Sequence, residues 1–119
     1  MQEIYTKELI EHYKQPHRFG KMSNPDLVSK AVNEMCGDEL TFYVKEEDGK
    51  VKDCSFEGSG CAICLGTMSM LIDEQIGLKI EDLKDTPDTL ALERIGMKKE
   101  SARIKCATLS TEVLRGLSK

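Results

Sequence analysis

Cysteine is the residue type in this sequence that offers the most chemistry. The chain has 119 residues and carries five cysteines, at positions Cys36, Cys54, Cys61, Cys64 and Cys106. Its first residues contain no basic patch followed by an apolar stretch, so we expect a cytoplasmic protein. Disulfides are improbable in that reducing compartment, where cysteines usually bind metal, react or fill the core.

Cys36 and Asp38 are separated only by a glycine. Because Gly37 frees the backbone to bend, a thiolate and a carboxylate could face one centre. The same three residues could equally form an ordinary turn before a strand. The pattern therefore gains weight only in combination with other ligands.

Cys61 and Cys106 both have surroundings that favour a thiolate. Cys61 follows a Gly-Ser-Gly sequence where a helix is predicted to begin, and the backbone N–H groups at a helix start stabilise negative charge. Cys106 is predicted to lie on the last helix, with Arg103 and Lys105 beside it. Positive neighbours lower the pKa of a thiol and offset the charge of an anionic metal site.

The other two cysteines have simpler interpretations. Cys54 alternates with Phe56 on a predicted strand, and we interpret it as a core residue because free cysteine behaves as a small hydrophobe. Cys64 forms a Cys-x-x-Cys motif with Cys61, a motif typical of redox pairs and zinc knuckles. A redox pair expects a parallel strand–helix–strand unit and a knuckle expects a second pair, and the sequence predicts neither. We therefore predict that Cys64 is a buried residue or a spare thiol.

Cys36, Cys61 and Cys106 come from three different predicted elements, and with Asp38 they make a set of four anionic ligands. Zinc accepts sulfur and carboxylate oxygen in one tetrahedron. Iron–sulfur clusters normally take four thiolates, so an oxygen donor in place of one should weaken the hold on a cluster. A loosely held cluster would suit a protein that builds one and passes it on.

The elements that must position these residues are predicted from hydrophobic periodicity and turn chemistry. The predicted helices cover residues 5–14, 61–77, 80–83 and 86–96 and the segment from 100 onward, and the predicted strands cover residues 28–32, 40–44 and 51–56. The pair Asp48-Gly49 lies between the last two strands and predicts an antiparallel hairpin. Strands that precede most of the helices indicate an α+β fold, and we expect residues 1–119 to form a single domain.

The composition argues against several classes of partner. A net charge of −4 and an aromatic content of 5% argue against nucleic acid, because phosphate binding needs a concentrated positive field and base stacking needs aromatic platforms. A membrane partner is not expected either, since no apolar run approaches the roughly 20 residues that a spanning helix needs. We expect a monomer or a dimer.

Four segments resemble motifs of the U-type iron–sulfur cluster assembly scaffold family, which comprises IscU, the NifU N-terminal domain and SufU. The segments are HYKQPHRFG at residues 12–20, CGD at residues 36–38, FEGSGC at residues 56–61 and RIKCATL at residues 103–109. The likeness runs over almost the whole chain. Each motif alone is modest, but four of them in this order and at similar spacing are specific.

The resemblance implies a SufE/NifU-like fold, in which a three-stranded antiparallel sheet is packed with helices. It implies that Cys36, Asp38, Cys61 and Cys106 form a site at one exposed end that holds a transient [2Fe–2S] cluster, Zn²⁺ or Fe²⁺. It also implies a cysteine desulfurase as sulfur donor and apo iron–sulfur proteins as recipients. Cys106 is the best match for the persulfide acceptor, with Lys105 in a supporting role and with Cys36 or Cys61 as alternatives.

Two departures from the family pattern keep two functions open. Many scaffolds of the family have histidine before the last cysteine, where this chain has Lys105. Lysine there is similar to the SufU branch, which is associated with zinc and with sulfur relay. The interval of 45 positions from Cys61 to Cys106, in contrast, is similar to the scaffold branch. We therefore expect a non-enzymatic scaffold, with a zinc-dependent sulfurtransferase as the alternative.

Three further features complete the expectations. Residues 97–105 lack the Leu-Pro-Pro-Val-Lys sequence that binds an Hsp70-type chaperone in the family, which weakens the expectation of a chaperone partner. His12 and His17 match no ligand position of the family, and each is predicted to pack or cap locally. Met68 and Met70 are predicted to fill the core.

Overall fold

A three-stranded antiparallel sheet and the helices packed on it make up residues 6–118, the part of the chain that the computed structural model describes. In chain order, the elements are α1 (Lys7–Lys14), β1 (Leu27–Asn33), β2 (Asp38–Glu47), β3 (Lys50–Ser59), α2 (Ala62–Ile72), α3 (Ile80–Leu83), α4 (Asp88–Ile95) and α5 (Ile104–Arg115). The central strand β2 pairs with β1 on one side and with β3 on the other. The predicted α+β class with a three-stranded antiparallel sheet is confirmed.

Two turns connect the three strands. Asp48 and Gly49 have φ angles of 55° and 76°, the positive values that a two-residue hairpin turn between β2 and β3 requires. The hairpin predicted from the Asp-Gly pair is therefore confirmed. Between β1 and β2 the chain turns over residues 34–37, and Asn33 pairs with Asp38 at the base of that turn. This turn carries Cys36 to one end of the sheet.

Helix α2 is the centre of the hydrophobic core. Nine of its eleven residues are buried, so it is apolar around most of its circumference rather than on one stripe. It packs against the sheet residues Leu40, Phe42 and Phe56, and helices α1, α4 and α5 contact its other sides. Met68 and Met70 are buried in this helix, which confirms the prediction that they fill the core.

Helix α1 is held against α2 by close packing and by hydrogen bonds. Leu9 lies directly over Gly66, where a Cβ atom would approach Leu9 Cδ1 to 2.6 Å. Ser69 Oγ accepts the backbone N–H of His17 at 2.8 Å and lies 2.7 Å from His12 Nδ1. The imidazole of His17 also bonds Asp73 at 2.7 Å. Both histidines therefore have local packing roles, as predicted.

The helix predicted over residues 61–77 is shorter than expected. It ends at Ile72 and is followed by a 3₁₀ turn over Asp73–Gln75. The cause is the sheet, because the backbone of residues 77–78 makes two hydrogen bonds with Val51, of 2.8 and 2.9 Å. These bonds carry the chain along the edge of β3, so the helix cannot continue.

The last helix also begins later than the predicted residue 100. It starts at Ile104, because Ser101 and its neighbours form turns first. Ser101 Oγ accepts the N–H of Arg103 at 3.1 Å, and such side-chain bonds offer the backbone an alternative to helix. Gly96 ends α4 with a φ of 70°, as predicted for a glycine stop.

Within residues 6–118, no helix combines the length and the apolar character needed to cross a bilayer.

Acidification should loosen the contact between α1 and α2. Burial and the nearby charge of His17 lower the pKa of His12, so the folded state favours the neutral imidazole, whose Nδ1 lies 2.7 Å from Ser69 Oγ. The unfolded chain therefore takes up this proton first, and the stabilisation present above pH 6.5 is lost as pH falls through the folded-state value. We expect the thermal midpoint Tm of the wild type to drop by a few degrees more between pH 7.5 and 5.5 than that of His12→Asn.

The comparison of the wild type with His12→Asn separates the effect of His12 from the effects of other groups that titrate in the same pH range. Asparagine places an amide where the Nδ1 atom lay, so it can keep a bond to Ser69 Oγ without titrating. Equal losses of Tm in the two proteins would contradict the assignment.

Candidate metal centre

The turn between β1 and β2 presents Cys36 at the surface. The carbonyl oxygen of Asn33 accepts backbone N–H groups from Cys36 at 3.3 Å and from Gly37 at 2.9 Å, which closes the turn. Gly37 has a φ of 72°, a value that glycine adopts without strain. The Cys36 side chain is exposed, so a partner molecule can reach this thiol directly. Residues 36–38 were predicted either to form an ordinary turn or to face one centre with a thiol and a carboxylate. The structure shows both features, because the segment is a turn and the Cys36 thiol lies near the Asp38 carboxylate.

Asp38 is the buried member of the group. It begins β2 and is only 2% exposed. Its Oδ1 accepts the backbone N–H of Cys61 at 3.2 Å, whereas Oδ2 has no hydrogen-bond partner among residues 6–118. A buried carboxylate oxygen without a partner is costly. A bound cation would remove that cost, so this oxygen has the properties of a metal ligand.

Two helix starts meet at this carboxylate. Cys61 is the N-cap residue of α2, and Cys106 is the third residue of α5. The backbone N–H groups at a helix start carry a partial positive charge, so both helices favour negative charge at these cysteines. The prediction that Cys61 stands where a helix begins is therefore confirmed, and the later start of α5 places Cys106 in the first turn of its helix.

The ligand atoms of Cys36, Asp38 and Cys106 all lie within 4.8 Å of one another. Cys61 is not part of that set of mutual distances, but its backbone bonds Asp38 and its thiol is near enough to Cys106 to raise the pKa of that thiol. The structure thus brings three of the four predicted ligands into one group and places the fourth beside it. That these four residues bind one metal stays a prediction.

Burial works against the thiolate form of Cys106. The side chain is 1% exposed, and this burial raises the pKa of Cys106 to about 12, helped by the neighbouring Cys61 and Asp38. A hydrogen bond from Arg103 lowers the pKa but does not outweigh burial. The predicted lowering of the pKa by a positive neighbour is therefore present at Arg103, but burial makes the net shift upward. The sequence could not show it, because burial is a property of the folded chain.

Lys105 lies at the surface next to this group. It lines a groove that also contains Asn33, Glu34 and Met35, the residues that lead into Cys36. The groove carries the negative charges of Glu34, Asp88 and Glu112 as well as the positive charges of Lys105 and Arg115, so its character is mixed rather than cationic. A supporting role for Lys105 stays a prediction.

Comparisons with known proteins decide the family. The family model of the NifU-like N-terminal domain matches residues 4–117. The chain belongs to this family. It is 33% identical to the iron–sulfur cluster assembly scaffold protein IscU 1 of Archaeoglobus fulgidus, over 94% of this chain and 72% of that protein. It is 32% identical to the zinc-dependent sulfurtransferase SufU of Bacillus subtilis, over 98% of this chain and 90% of that protein.

The fold is also shared with solved structures of the family. A crystal structure from Fervidobacterium islandicum, described as an iron–sulfur cluster assembly scaffold of the SUF system, has a TM-score of 0.77 and is 25% identical. The alignment covers 93% of each chain. The resemblance inferred from the four motifs is therefore confirmed.

The donors in this NifU-like domain suit a soft divalent metal. Thiolates select zinc and iron–sulfur units, and a carboxylate is compatible with both. The other two cysteines, Cys54 and Cys64, are not among the predicted ligands. Their side chains are 2% and 0% exposed, as predicted for core residues. The family match and the donor chemistry together support a metal or cluster at this end of the sheet.

Gly60 is a residue of the centre that sequence reasoning missed. Its φ is 155°, and a Cβ atom there would lie 2.5 Å from Asp38 Oδ1. Only glycine therefore allows the Asp38 carboxylate to approach the start of α2. The signal in the sequence was a glycine immediately before Cys61. From the sequence alone, that glycine is explained equally well by a flexible loop.

Gly60→Ala should displace Asp38 and weaken metal binding. We expect the affinity for Zn²⁺, measured by competition with a chromophoric chelator, to fall by roughly 10–100-fold, the usual effect of disturbing the support of a ligand. Gly20→Ala is the matched control, because Gly20 has a φ of 139° and open space around its Cβ position. Both variants should lose stability of about 1–3 kcal/mol from backbone strain. Equal zinc affinities in the two variants would contradict the role of Gly60.

Proposed function

We propose that this chain is an iron–sulfur cluster assembly scaffold. It accepts sulfur from a cysteine desulfurase, combines it with iron into a labile [2Fe–2S] cluster, and passes the cluster to apo-proteins. Iron and sulfide are cargo in this proposal rather than a resident cofactor. The observation that carries it is the buried Asp38 carboxylate, which lies beside two thiols and whose Oδ2 has no hydrogen-bond partner in the described residues.

The proposed ligands are Cys36, Cys61, Cys106 and Asp38. Three thiolates and one carboxylate place four negative charges around the metal, which leaves a net charge of −2 on an oxidised [2Fe–2S] unit or on Zn²⁺ alike. The two helix starts at Cys61 and Cys106 offset part of this charge. Arg103, which bonds the Cys106 thiol, adds a positive charge on the same side.

The exposure of the thiols supports assembly at an accessible surface. Cys36 is exposed and Cys61 is half-buried, while Cys106 is buried. A sulfur donor therefore reaches Cys36 first, and persulfide sulfur can pass inward by exchange between neighbouring thiols. Cys106 stays the predicted persulfide acceptor, and its burial would protect the persulfide from solvent.

Asp38 should be the ligand that permits release. An oxygen donor binds an iron–sulfur unit less firmly than a thiolate. Asp38→Ala should therefore release the reconstituted cluster to apo-ferredoxin more slowly, on the order of tenfold, when followed by visible absorption or circular dichroism. Glu39→Ala is the control, because Glu39 is the adjacent residue and its carboxylate is exposed. Faster loss of the cluster from Asp38→Ala than from the control would contradict this role.

A zinc-dependent sulfur relay is the second candidate function. It is favoured by the 32% identity to the Bacillus subtilis zinc-dependent sulfurtransferase and by the lysine that precedes Cys106. In this alternative, zinc would hold the same four ligands, and one thiolate would leave the metal to accept persulfide sulfur. The desulfurase would then be stimulated without any iron.

One anaerobic experiment separates the two functions. The zinc-loaded protein is incubated with ferrous iron, cysteine and a cysteine desulfurase, and visible spectra, bound metals and acid-labile sulfide are measured. A scaffold should exchange zinc for iron and sulfide and then activate apo-ferredoxin. Retained zinc with a persulfide on the chain and a faster desulfurase would establish the relay instead.

A further inference from the structure

Cys64 is a fully buried thiol immediately behind the candidate centre. It is 0% exposed and belongs to the main hydrophobic core. Burial raises its pKa, and the negative charges of Asp38, Cys61 and Cys106 raise it further. Cys64 is therefore a neutral thiol close to three of the proposed ligands, and the proposed cluster chemistry does not use it.

Cys61 connects Cys64 with the centre. The Cys61 side chain is partly buried and packs against both hydrophobic clusters, one of which contains Cys64 and the other Cys106. Cys61 is the N-cap of α2 and Cys64 is its third residue. Helix geometry separates Cα atoms three positions apart by roughly 5 Å. That value lies within the range of about 4.4–6.8 Å that a disulfide requires.

Cluster assembly also requires electrons. The outer sulfur of a persulfide must gain two electrons before it can bridge iron as sulfide. Two thiols that become one disulfide release two electrons. A second thiol beside a persulfide-bearing cysteine is therefore a source of reducing equivalents within the chain.

We propose that Cys64 is a resolving thiol that releases sulfide from a persulfide on Cys61. Sulfur first passes between neighbouring thiols, as the Cys61 thiolate attacks the outer sulfur of the Cys106 persulfide and the Cys106 thiolate leaves. The sulfur of Cys64 then attacks the inner sulfur of the Cys61 persulfide. A Cys61–Cys64 bond forms, the bond to the outer sulfur breaks, and the proton of Cys64 leaves with the departing sulfide as hydrogen sulfide.

The burial of Cys64 fits this role. External thiols and oxidants cannot reach a side chain with no exposure, so its electrons are kept for a group attached to Cys61. A neutral thiol also does not compete with Cys36, Cys61 and Cys106 for the metal. Formation of the Cys61–Cys64 disulfide completes one turnover. A dithiol reductant must reduce this disulfide before a second turnover can begin. The inference rests on the proposed function, because it requires sulfur to arrive as a persulfide.

The test is a single-turnover measurement on the full chain, without iron and without reductant. The protein is loaded anaerobically by a cysteine desulfurase and limiting cysteine, and free sulfide is followed with time. Thiols are then alkylated, and the peptides are mapped by mass spectrometry. The wild type should release one sulfide per chain, form a Cys61–Cys64 disulfide and stop until a dithiol is added. Cys64→Ala should hold the sulfur as persulfide and release sulfide at least roughly tenfold more slowly.

Two further variants test whether the effect is specific to the Cys64 thiol. Cys54→Ala removes another buried thiol, whose Sγ donates to the Ile72 carbonyl at 3.7 Å, and it should release sulfide like the wild type. Cys64→Ser preserves the side-chain size and should behave like Cys64→Ala. Equal release by the wild type and both Cys64 variants, or a Cys64 thiol that stays free in the wild type, would overturn the inference while leaving the proposed function intact. A wild type that takes up no sulfur at all would overturn both.

Discussion

A hydrogen bond from the Cys61 backbone to a buried carboxylate joins the start of the central helix to the start of the central strand. Asp38 begins the central strand, and Cys61 caps the central helix, so the 3.2 Å bond between them fixes how the helix starts relative to the sheet. The bond satisfies one oxygen of a group that is costly to bury and leaves the other oxygen without a partner within residues 6–118. The surroundings of this carboxylate determine what the end of the sheet can bind.

Several features of the structure serve this arrangement. The pairing of Asn33 with Asp38 ends the β1–β2 ladder where the Cys36 turn begins, so the thiol and carboxylate meet without a long loop. Gly60 supplies the space that the carboxylate occupies. The burial of most of α2 opposes a shift of the helix along its axis, because any shift would disturb a close-packed core. The site is therefore buried at Asp38 and Cys106 and open at Cys36.

The sequence predicts the chemistry of this centre better than its electrostatics. Residue types and spacing predicted Cys36, Asp38, Cys61 and Cys106 as ligands, because a metal site needs soft and anionic donors whatever their position in the fold, and the structure brings the ligand atoms of three of them within 4.8 Å of one another. The Asp48-Gly49 turn and the Gly96 helix stop were also predictable, since each depends on local backbone preference. The ends of α2 and the start of α5 were not, because hydrogen bonds to β3 and to Ser101 decide them. The raised pKa of Cys106 follows from tertiary burial, and neighbours in sequence pointed the other way.

The number and type of atoms around a bound metal test this account most directly. Extended X-ray absorption fine structure of the zinc-loaded protein at the zinc edge measures both. The account predicts three sulfur atoms at about 2.3 Å and one oxygen at about 2.0–2.2 Å. A shell of four sulfur atoms, or one with nitrogen in place of the oxygen, would contradict the assignment of Asp38 as the fourth ligand.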